Sequence, residues 1–434
     1  MSWNEYYKSR LITADEAAAK IKNGDRIVMG HGAGEPRLMP QALVKRQNEL
    51  ENVVVTHGIA LGPGLYCQPD VDHNRIRLST CFAGGSTRKA VQEGRAAFVA
   101  MHFSDVPKAY REKFLDINVA VTHVSPPDRY GYCSLGISVD YERAAIESAD
   151  LVIAEVNINM PRTYGNTLVH VNDIDYFVES SQPLIVMSKP DVGPVEEAIG
   201  RHIASLVEDG ATLQLGIGGI PNAILSFLRD KNDLGLHSEL LSDGTMELIE
   251  AGVINGKRKT LHPCKALATF AAGTSELYKK LDGNPAVEFY PVEYINDSHV
   301  ISLNDKMFSV NSAIQIDLLG QVCAETINAK QFSGIGGQMD FVRGACLSKG
   351  GKAVIAMPAT AKNGTVSKIV AALQPGDAVT TPRNDVDYVV TENGIAHLRG
   401  QETRERARRL IAIADPKFRD ELKSQFEHIY ALKL

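Results

Sequence analysis

A sheltered carboxylate beside a glycine turn can do chemistry on a carried group, and residues 209–244 offer both. The stretch runs DGATLQLGIGGIPNAILSFL, then a short polar spacer, then LGLHSELLSDG. Its second piece carries Glu239 between apolar neighbours. On an alternating strand, His237, Glu239 and Leu241 share one face while Leu236, Ser238 and Leu240 share the other. The first piece is an apolar run that ends in the turn Gly216, Ile217, Gly218, Gly219, Ile220 and restarts as a helix led by Pro221. Glycines let a ligand come close to the main chain, and proline suits a first helical position. The amides exposed at such a helix start favour phosphate. A strand-end glutamate is ordinarily solvated, and a short glycine turn ordinarily binds nothing. Side by side, the two point to chemistry on a group carried by a phosphate-bearing ligand.

A dinucleotide site competes with this reading, because Glu239 lies twenty-three residues past Gly216, near the spacing of a ribose-binding acid. Pro221 stands where the third glycine of that fingerprint belongs, which counts against it. Two later glycine loops could present amides to a developing oxyanion. One is QFSGIGGQMDFVRGA, with Gly334, Gly336 and Gly337; the other is PATAKNGTVSKIV, with Lys362 at a polar turn. Either is equally well read as a bend between strands. Asn311 sits inside the apolar run MFSVNSAIQIDLLGQV, where a buried amide needs partners. His31, His57 and His123 each follow a strand-like run. No His, Cys, Asp or Glu group has metal-ligand spacing, so no catalytic metal is expected. The absence of G-x-S-x-G argues against an α/β-hydrolase.

The elements that must position these residues show an internal echo. ADEAAAKIKNGDRIVMGHGAGEPRLMPQALVKR gives helix, strand, G-x-G turn and helix, and PVEEAIGRHIASLVEDGATLQLGIGGIPNAILSFLRD repeats that order. The β-branched runs NVVVTHGIA, DINVAVTHVS, DLVIAEVN and PLIVMS predict buried strands of a largely parallel sheet. CKALATFA, VEFYPV, HVISLND, MFSVNSA, AVIAMP and DYVVTE continue the strands, and Asp243 is expected to cap the helix TMELIEAG. Helical periodicity marks YERAAIESA, ETRERARRLIAIA and KFRDELKSQFEHIYALK. The Pro/Gly-rich connector KPDVGP predicts a boundary, giving domains 1–190 and 191–434. Alternation of this kind means α/β layers, with ligands at the carboxyl ends of strands.

Bulk properties narrow the setting. A chain of 434 residues exceeds one ordinary core, and its 44% hydrophobic and 23% charged residues are those of a globular protein. A net charge of -6 argues against nucleic acid, and no apolar run is long enough for a bilayer. MSWNEYYKSR lacks the features of a signal peptide, and the six scattered cysteines read as reduced thiols. The cytoplasm is the expected compartment.

VSPPDRYGYCSLG, RTYGNTLVHV, TLQLGIGGIPNAIL, LHSELLSDG, KQFSGIGGQMDFVRGA and RNDVDYVVTENGIAHLRG together resemble the acetyl-CoA hydrolase/CoA-transferase family over essentially the whole chain. Asn166 stands where an acid is expected, at a position not expected to do chemistry. The resemblance implies two similar α/β domains with open, largely parallel sheets and an active site in the cleft between them. It implies a ping-pong CoA-transferase acting on 4-hydroxybutyryl-, butyryl- or acetyl-CoA, with Glu239 as nucleophile and a glutamyl-CoA thioester as intermediate. Coenzyme A would be a substrate, with no tightly bound cofactor, and the protein a homodimer. Gly216 to Ile220 would contact CoA, Gly336, Gly337 and Lys362 would line the CoA side, and Asn311 would orient the thioester oxygen. His31 and Glu35 are expected to face the carboxylate substrate. An acyl-CoA hydrolase on the same scaffold and a non-catalytic CoA-binding sensor remain as alternatives.

Overall fold

The computed structural model describes residues 2–434. Its contacts cluster into two units, one holding the chain up to Ser188 with Leu267–Ile295, the other Lys189–Ala266 with Asn296–Leu434. A single cut at residue 190 therefore misassigns one segment, since residues 267–295 pack with the first unit. Backbone pairing and a buried hydroxyl explain why. Val287–Phe289 runs parallel to Tyr164–Gly165, and the Tyr278 hydroxyl donates to the Ile185 carbonyl at 2.7 Å.

The first unit is built on a seven-stranded sheet. Its strands in chain order are β1 (Arg26–Met29), β2 (Val53–Thr56), β3 (Ile76–Thr80), β4 (Ala97–Phe98), β5 (Val119–Val124), β6 (Leu151–Asn157) and β7 (Tyr176–Ser180). They lie in the order β7-β6-β5-β1-β2-β3-β4, and every pairing is parallel. Central parallel strands are covered on both faces, so they read as continuous apolar runs, and every residue of β5 is buried. The chain builds outward from β1 through β2 to β4, then returns to the other side of β1 with β5. The crevice at the carboxyl ends of β1 and β5 is the switch point at which such sheets bind ligands.

The second unit repeats the plan. Strands β8 (Thr212–Leu215), β9 (Gly235–Leu236), β10 (Met307–Ser312), β11 (Lys352–Ala356), β12 (Tyr388–Thr391) and β13 (Gly394–His397) lie in the order β9-β8-β10-β11-β12-β13. All pairings are parallel except that of the edge strand β13. Its switch point falls between β8 and β10. Four helices concern the site: α1 (Pro194–Leu206), α2 (Gly219–Ser226), α3 (Asp243–Glu250) and α4 (Gln338–Leu347).

Two expected strands differ. PLIVMS pairs with no sheet, although Leu184 and Ile185 are buried. HVISLND is mostly a helix, Ser298–Ser302, because the Asp297 carboxylate accepts from the His299 and Val300 amides and starts a turn. Among the described residues no helix is long and apolar enough to cross a membrane.

Helix α1 presses α2 into place through Gly200. A β-carbon there would lie 2.8 Å from the Ala223 methyl and 2.9 Å from its carbonyl carbon. A larger residue must push away the helix that begins at the glycine turn. Gly200→Val should cost about 1–3 kcal/mol by overpacking, visible as a lowered thermal midpoint. An unchanged midpoint would show that the two helices separate freely.

Candidate active site

In the second unit, β8 is wholly buried and delivers the chain to Gly216 at the sheet's carboxyl edge. Gly218 has φ 133, a conformation open only to glycine, and it turns the chain directly into α2. Helix α2 begins at Gly219, so Pro221 is its third residue rather than its first. The proline is still tolerated, because amides in the first turn have no partner within the helix. Gly219 answers to space, since a β-carbon would meet the Asp191 carbonyl at 2.9 Å. Ile217 is exposed, and the other four turn residues are half-buried.

Glu239 stands beside this turn, but not on a strand. Strand β9 ends at Leu236, the His237 amide donates to the Leu213 carbonyl at 3.0 Å, and the chain then bends. The Ser238 hydroxyl accepts from the Leu215 amide at 3.4 Å and donates to the Leu215 carbonyl at 3.2 Å. Those bonds tie residue 238 to the end of β8, one residue before the half-buried Glu239. Helix α3 is capped one residue earlier than expected, by Ser242, whose amide donates to the Thr245 hydroxyl at 2.9 Å. Behind the bend, the buried Lys259 ammonium donates to the carbonyls of Leu236 at 3.0 Å and Lys265 at 2.9 Å.

One oxygen of the Glu239 carboxylate has a fixed seat. Its Oε2 accepts from Asn296 Nδ2 at 2.7 Å, and Asn296 is fully buried. The same amide nitrogen faces Asp340 Oδ2 at 3.5 Å. Gly337 closes the other side: a β-carbon there would lie 2.1 Å from Glu239 Oε2 and 2.2 Å from Asn296 Nδ2. Its φ of -96 is ordinary, so lack of room, not backbone conformation, demands glycine. Gly336 is the reverse case, with φ 54. The two glycines lead into α4, which carries Asp340 in its first turn, where an anion is favoured. Asn311 is the next-to-last residue of β10, and its Nδ2 donates to Gln214 Oε1 of β8 at 3.3 Å, which places it at the switch point. Lys362, by contrast, is exposed at a left-handed position in the hairpin joining Thr360–Ala361 to Val366–Ser367.

His31 and Glu35 belong to the first unit, at the carboxyl ends of β1 and β5. Both are buried, and their neighbours are unusually polar for a core. His31 Nδ1 lies 3.2 Å from Asp140 Oδ2, and the His31 amide donates to Glu142 Oε1 at 3.1 Å. Glu35 Oε2 lies 3.5 Å from His57 Nε2, while His57 Nδ1 meets the Tyr66 hydroxyl. Burial pushes the Glu35 carboxyl up to about 7, against the amides of Gly62 and Leu61 and the charge of Arg37. Burial also raises the Glu142 carboxyl, helped by the charge of Asp140, and lowers the His57 imidazole to about 3. The group therefore stores protons on acids while leaving His57 neutral near pH 7.

The structure joins Glu239 directly to Gly337, and Glu239 with Asn311 to the Gly216–Ile220 turn through β8. Asn296 and Asp340 escaped the sequence reading. Asn296 is fifty-seven residues from Glu239, and no local pattern in YINDSH announces the contact. Among the described residues no group of three His, Cys, Asp or Glu could hold a metal ion.

Comparison with known proteins gives concordant matches. The acetyl-CoA hydrolase/transferase N-terminal domain matches residues 1–187, and the C-terminal domain of the same name matches residues 273–426. The 4-hydroxybutyrate coenzyme A transferase of Clostridium kluyveri is 54% identical over 98% of this chain and 99% of its own. The butyryl-CoA:acetate CoA-transferase of Anaerostipes caccae is 38% identical over 97% of each. A crystal structure of 4-hydroxybutyrate CoA-transferase from Porphyromonas gingivalis superposes with a TM-score of 0.86 at 41% identity, covering 98% of this chain and 100% of that one.

The buried acid of the first unit makes stability depend on pH. A carboxyl raised from 4.5 to about 7 binds its proton more tightly when folded, so its contribution is complete below pH 4.5 and is lost as pH rises through about 7. Glu35→Gln removes that loss. Its unfolding free energy should exceed the parent's by an increment growing across this window to about 3 kcal/mol. Denaturant titrations at several pH values read the increment, and a constant difference would mean that Glu35 titrates normally.

Proposed function

The chain belongs to the acetyl-CoA hydrolase/transferase family, and on that premise we propose that it transfers CoA between short-chain carboxylates through a thioester on Glu239. Relatives named as 4-hydroxybutyrate and butyryl-CoA:acetate transferases support the reaction class and the acyl range. The observation that carries the mechanism is the half-buried Glu239 carboxylate held by Asn296 against Gly337, beside a glycine turn at a sheet switch point.

The Glu239 carboxylate attacks the acyl-CoA carbonyl carbon, the carbon–sulfur bond breaks, and CoA leaves as thiolate from an acyl-glutamyl anhydride. The thiolate then attacks the glutamyl carbonyl carbon, the first acid departs as its carboxylate, and Glu239 holds CoA as a thioester. An acceptor carboxylate reverses both steps and leaves as the new acyl-CoA. No net proton or phosphate is consumed, because one thioester replaces another; covalent catalysis divides the exchange into two easier steps. Gly216–Ile220, Gly336 and Lys362 serve the CoA side and Asn311 the thioester oxygen, while His31 and Glu35 face the carboxylate substrate. Coenzyme A enters and leaves as substrate. A reducing cytoplasm suits the six free cysteines, and a homodimer completes the reading taken from the resemblance.

Incubation with butyryl-CoA alone, digestion and mass spectrometry test the mechanism. A CoA adduct on the Glu239 peptide, discharged by acetate as acetyl-CoA, is the expected result. Steady release of CoA without an adduct would instead assign a hydrolase. Glu239→Ala should abolish transfer while CoA binding persists, and retained exchange would remove Glu239 from the mechanism. Gly337→Ala should lower kcat at least about a hundredfold. Its melting point should fall as well, because the intruding methyl meets the buried Asn296 amide as well as the Glu239 carboxylate.

A further inference from the structure

The strip of chain that leads to Gly337 is made of residues that resist displacement poorly. Residues 332–337 read FSGIGG, and glycine gives the backbone its widest freedom. Gly336 uses that freedom, with φ 54. Gly337 nevertheless has an exact place to keep, because a β-carbon on it would lie 2.1 Å from Glu239 Oε2. Something outside the strip must hold it there.

Both ends of the strip are fastened. At its start, the Glu325 carbonyl accepts from the amides of Phe332 at 2.7 Å and Ser333 at 3.1 Å. Gln331 Nε2 donates to the Ser333 carbonyl at 2.9 Å and to Glu325 Oε2 at 3.3 Å. Glu325 Oε1 accepts from the Thr380 hydroxyl at 3.0 Å, and that hydroxyl accepts from the Ala324 amide at 2.9 Å. At the far end, where α4 begins, Gln338 Nε2 donates to the Thr381 hydroxyl at 3.1 Å. The strip is therefore anchored at each end to one of two adjacent, buried threonines. Main chain secures these in turn, since the Thr380 amide donates to the Val322 carbonyl at 2.8 Å and the Val322 amide to the Thr381 carbonyl at 3.0 Å.

We infer that Glu325 is a positioning residue for CoA transfer, acting with Thr380 through the glycine strip to keep Gly337 against Glu239. This rests on Glu239 being the nucleophile. The Glu325 side chain is not needed to form the hairpin beside it, because Thr326–Ile327 pairs with Lys330–Gln331 through main chain alone. What the side chain adds is the link from that hairpin's exit to Thr380. Without the link the start of the strip can shift, and a glycine-rich backbone passes the shift on to residue 337. A misplacement of about 1 Å at a reacting group can cost about a hundredfold in rate, so a partial loosening should be felt in turnover.

The test is butyryl-CoA:acetate exchange by the full-length protein and its variants, assayed well below every melting midpoint. Thr380→Val keeps the side-chain shape and removes the hydroxyl, while Thr380→Ser keeps the hydroxyl. Glu325→Ala and Thr380→Val should each lower kcat about tenfold or more, with KM for butyryl-CoA within about twofold of the parent's. Thr380→Ser should restore near-parental kcat. The double variant Glu325→Ala, Thr380→Val should be no slower than the slower single variant, because the two groups form one anchor. Parental kcat in both single variants would overturn the inference and leave the nucleophile intact. Losses that multiply in the double variant, or that fall on KM alone, would overturn it as well. Exchange by the parent without a CoA adduct on the Glu239 peptide would remove the nucleophile and the inference together. Should Glu325→Ala fail to fold, the contrast between Thr380→Val and Thr380→Ser decides alone.

Discussion

One carboxylate lying against bare main chain sets the terms for the second unit. Glu239 Oε2 occupies space that any side chain at residue 337 would take, and Asn296 holds it there at 2.7 Å. That contact makes residue 337 a glycine for lack of room and places Asn296 just before the helix that Asp297 caps. It also brings Asp340 in from the first turn of α4, so that the amide hydrogens face two acceptors. A carboxylate in water has two equivalent oxygens and many orientations. Here one hydrogen bond, from the buried Asn296 amide to Oε2, removes that equivalence.

The glycine turn and this carboxylate are neighbours because of sheet topology. Strand β8 is flanked by β9 and β10, so the segments leaving their carboxyl ends gather at one edge. The turn from Gly216 extends β8, the bend to Glu239 extends β9, and Asn311 lies next to last in β10. Short hydrogen-bonded links fix their register, from His237 and Ser238 to β8 on one side and from Asn311 to Gln214 on the other. Rigid strands fix the register while loops carry Glu239 and the glycine turn, a division common in α/β proteins.

The first unit uses the same switch point differently. Around the ends of β1 and β5 it buries His31, Glu35, His57, His123, Asp140, Glu142 and Glu155. Several are satisfied by main chain: His123 Nδ1 meets the Gly34 carbonyl at 3.1 Å, and Glu155 accepts from the amides of Arg37 and Leu38. Burial leaves Glu35 about half protonated near neutrality, so this acid can donate as well as accept. Such a network costs stability, and its specificity lies in the directions of its hydrogen bonds.

What the sequence by itself determined is local and periodic. Buried strands show as β-branched runs because parallel strands are covered on both faces, and the glycine turn shows because Gly218 needs a backbone that other residues avoid. The irregular stretches around Glu239 and Gly337 were long enough to identify the family. Tertiary structure alone decided the rest. Residues 267–295 join the first unit through pairing with a strand more than a hundred positions away, and HVISLND became a helix because an aspartate cap outweighed β-branched residues. Glu239 left its expected strand because Ser238 bonds to Leu215. Asn296 and Asp340 carry no local mark of their role, since an asparagine amide and a carboxylate acquire direction only when folding removes water and brings their partners near.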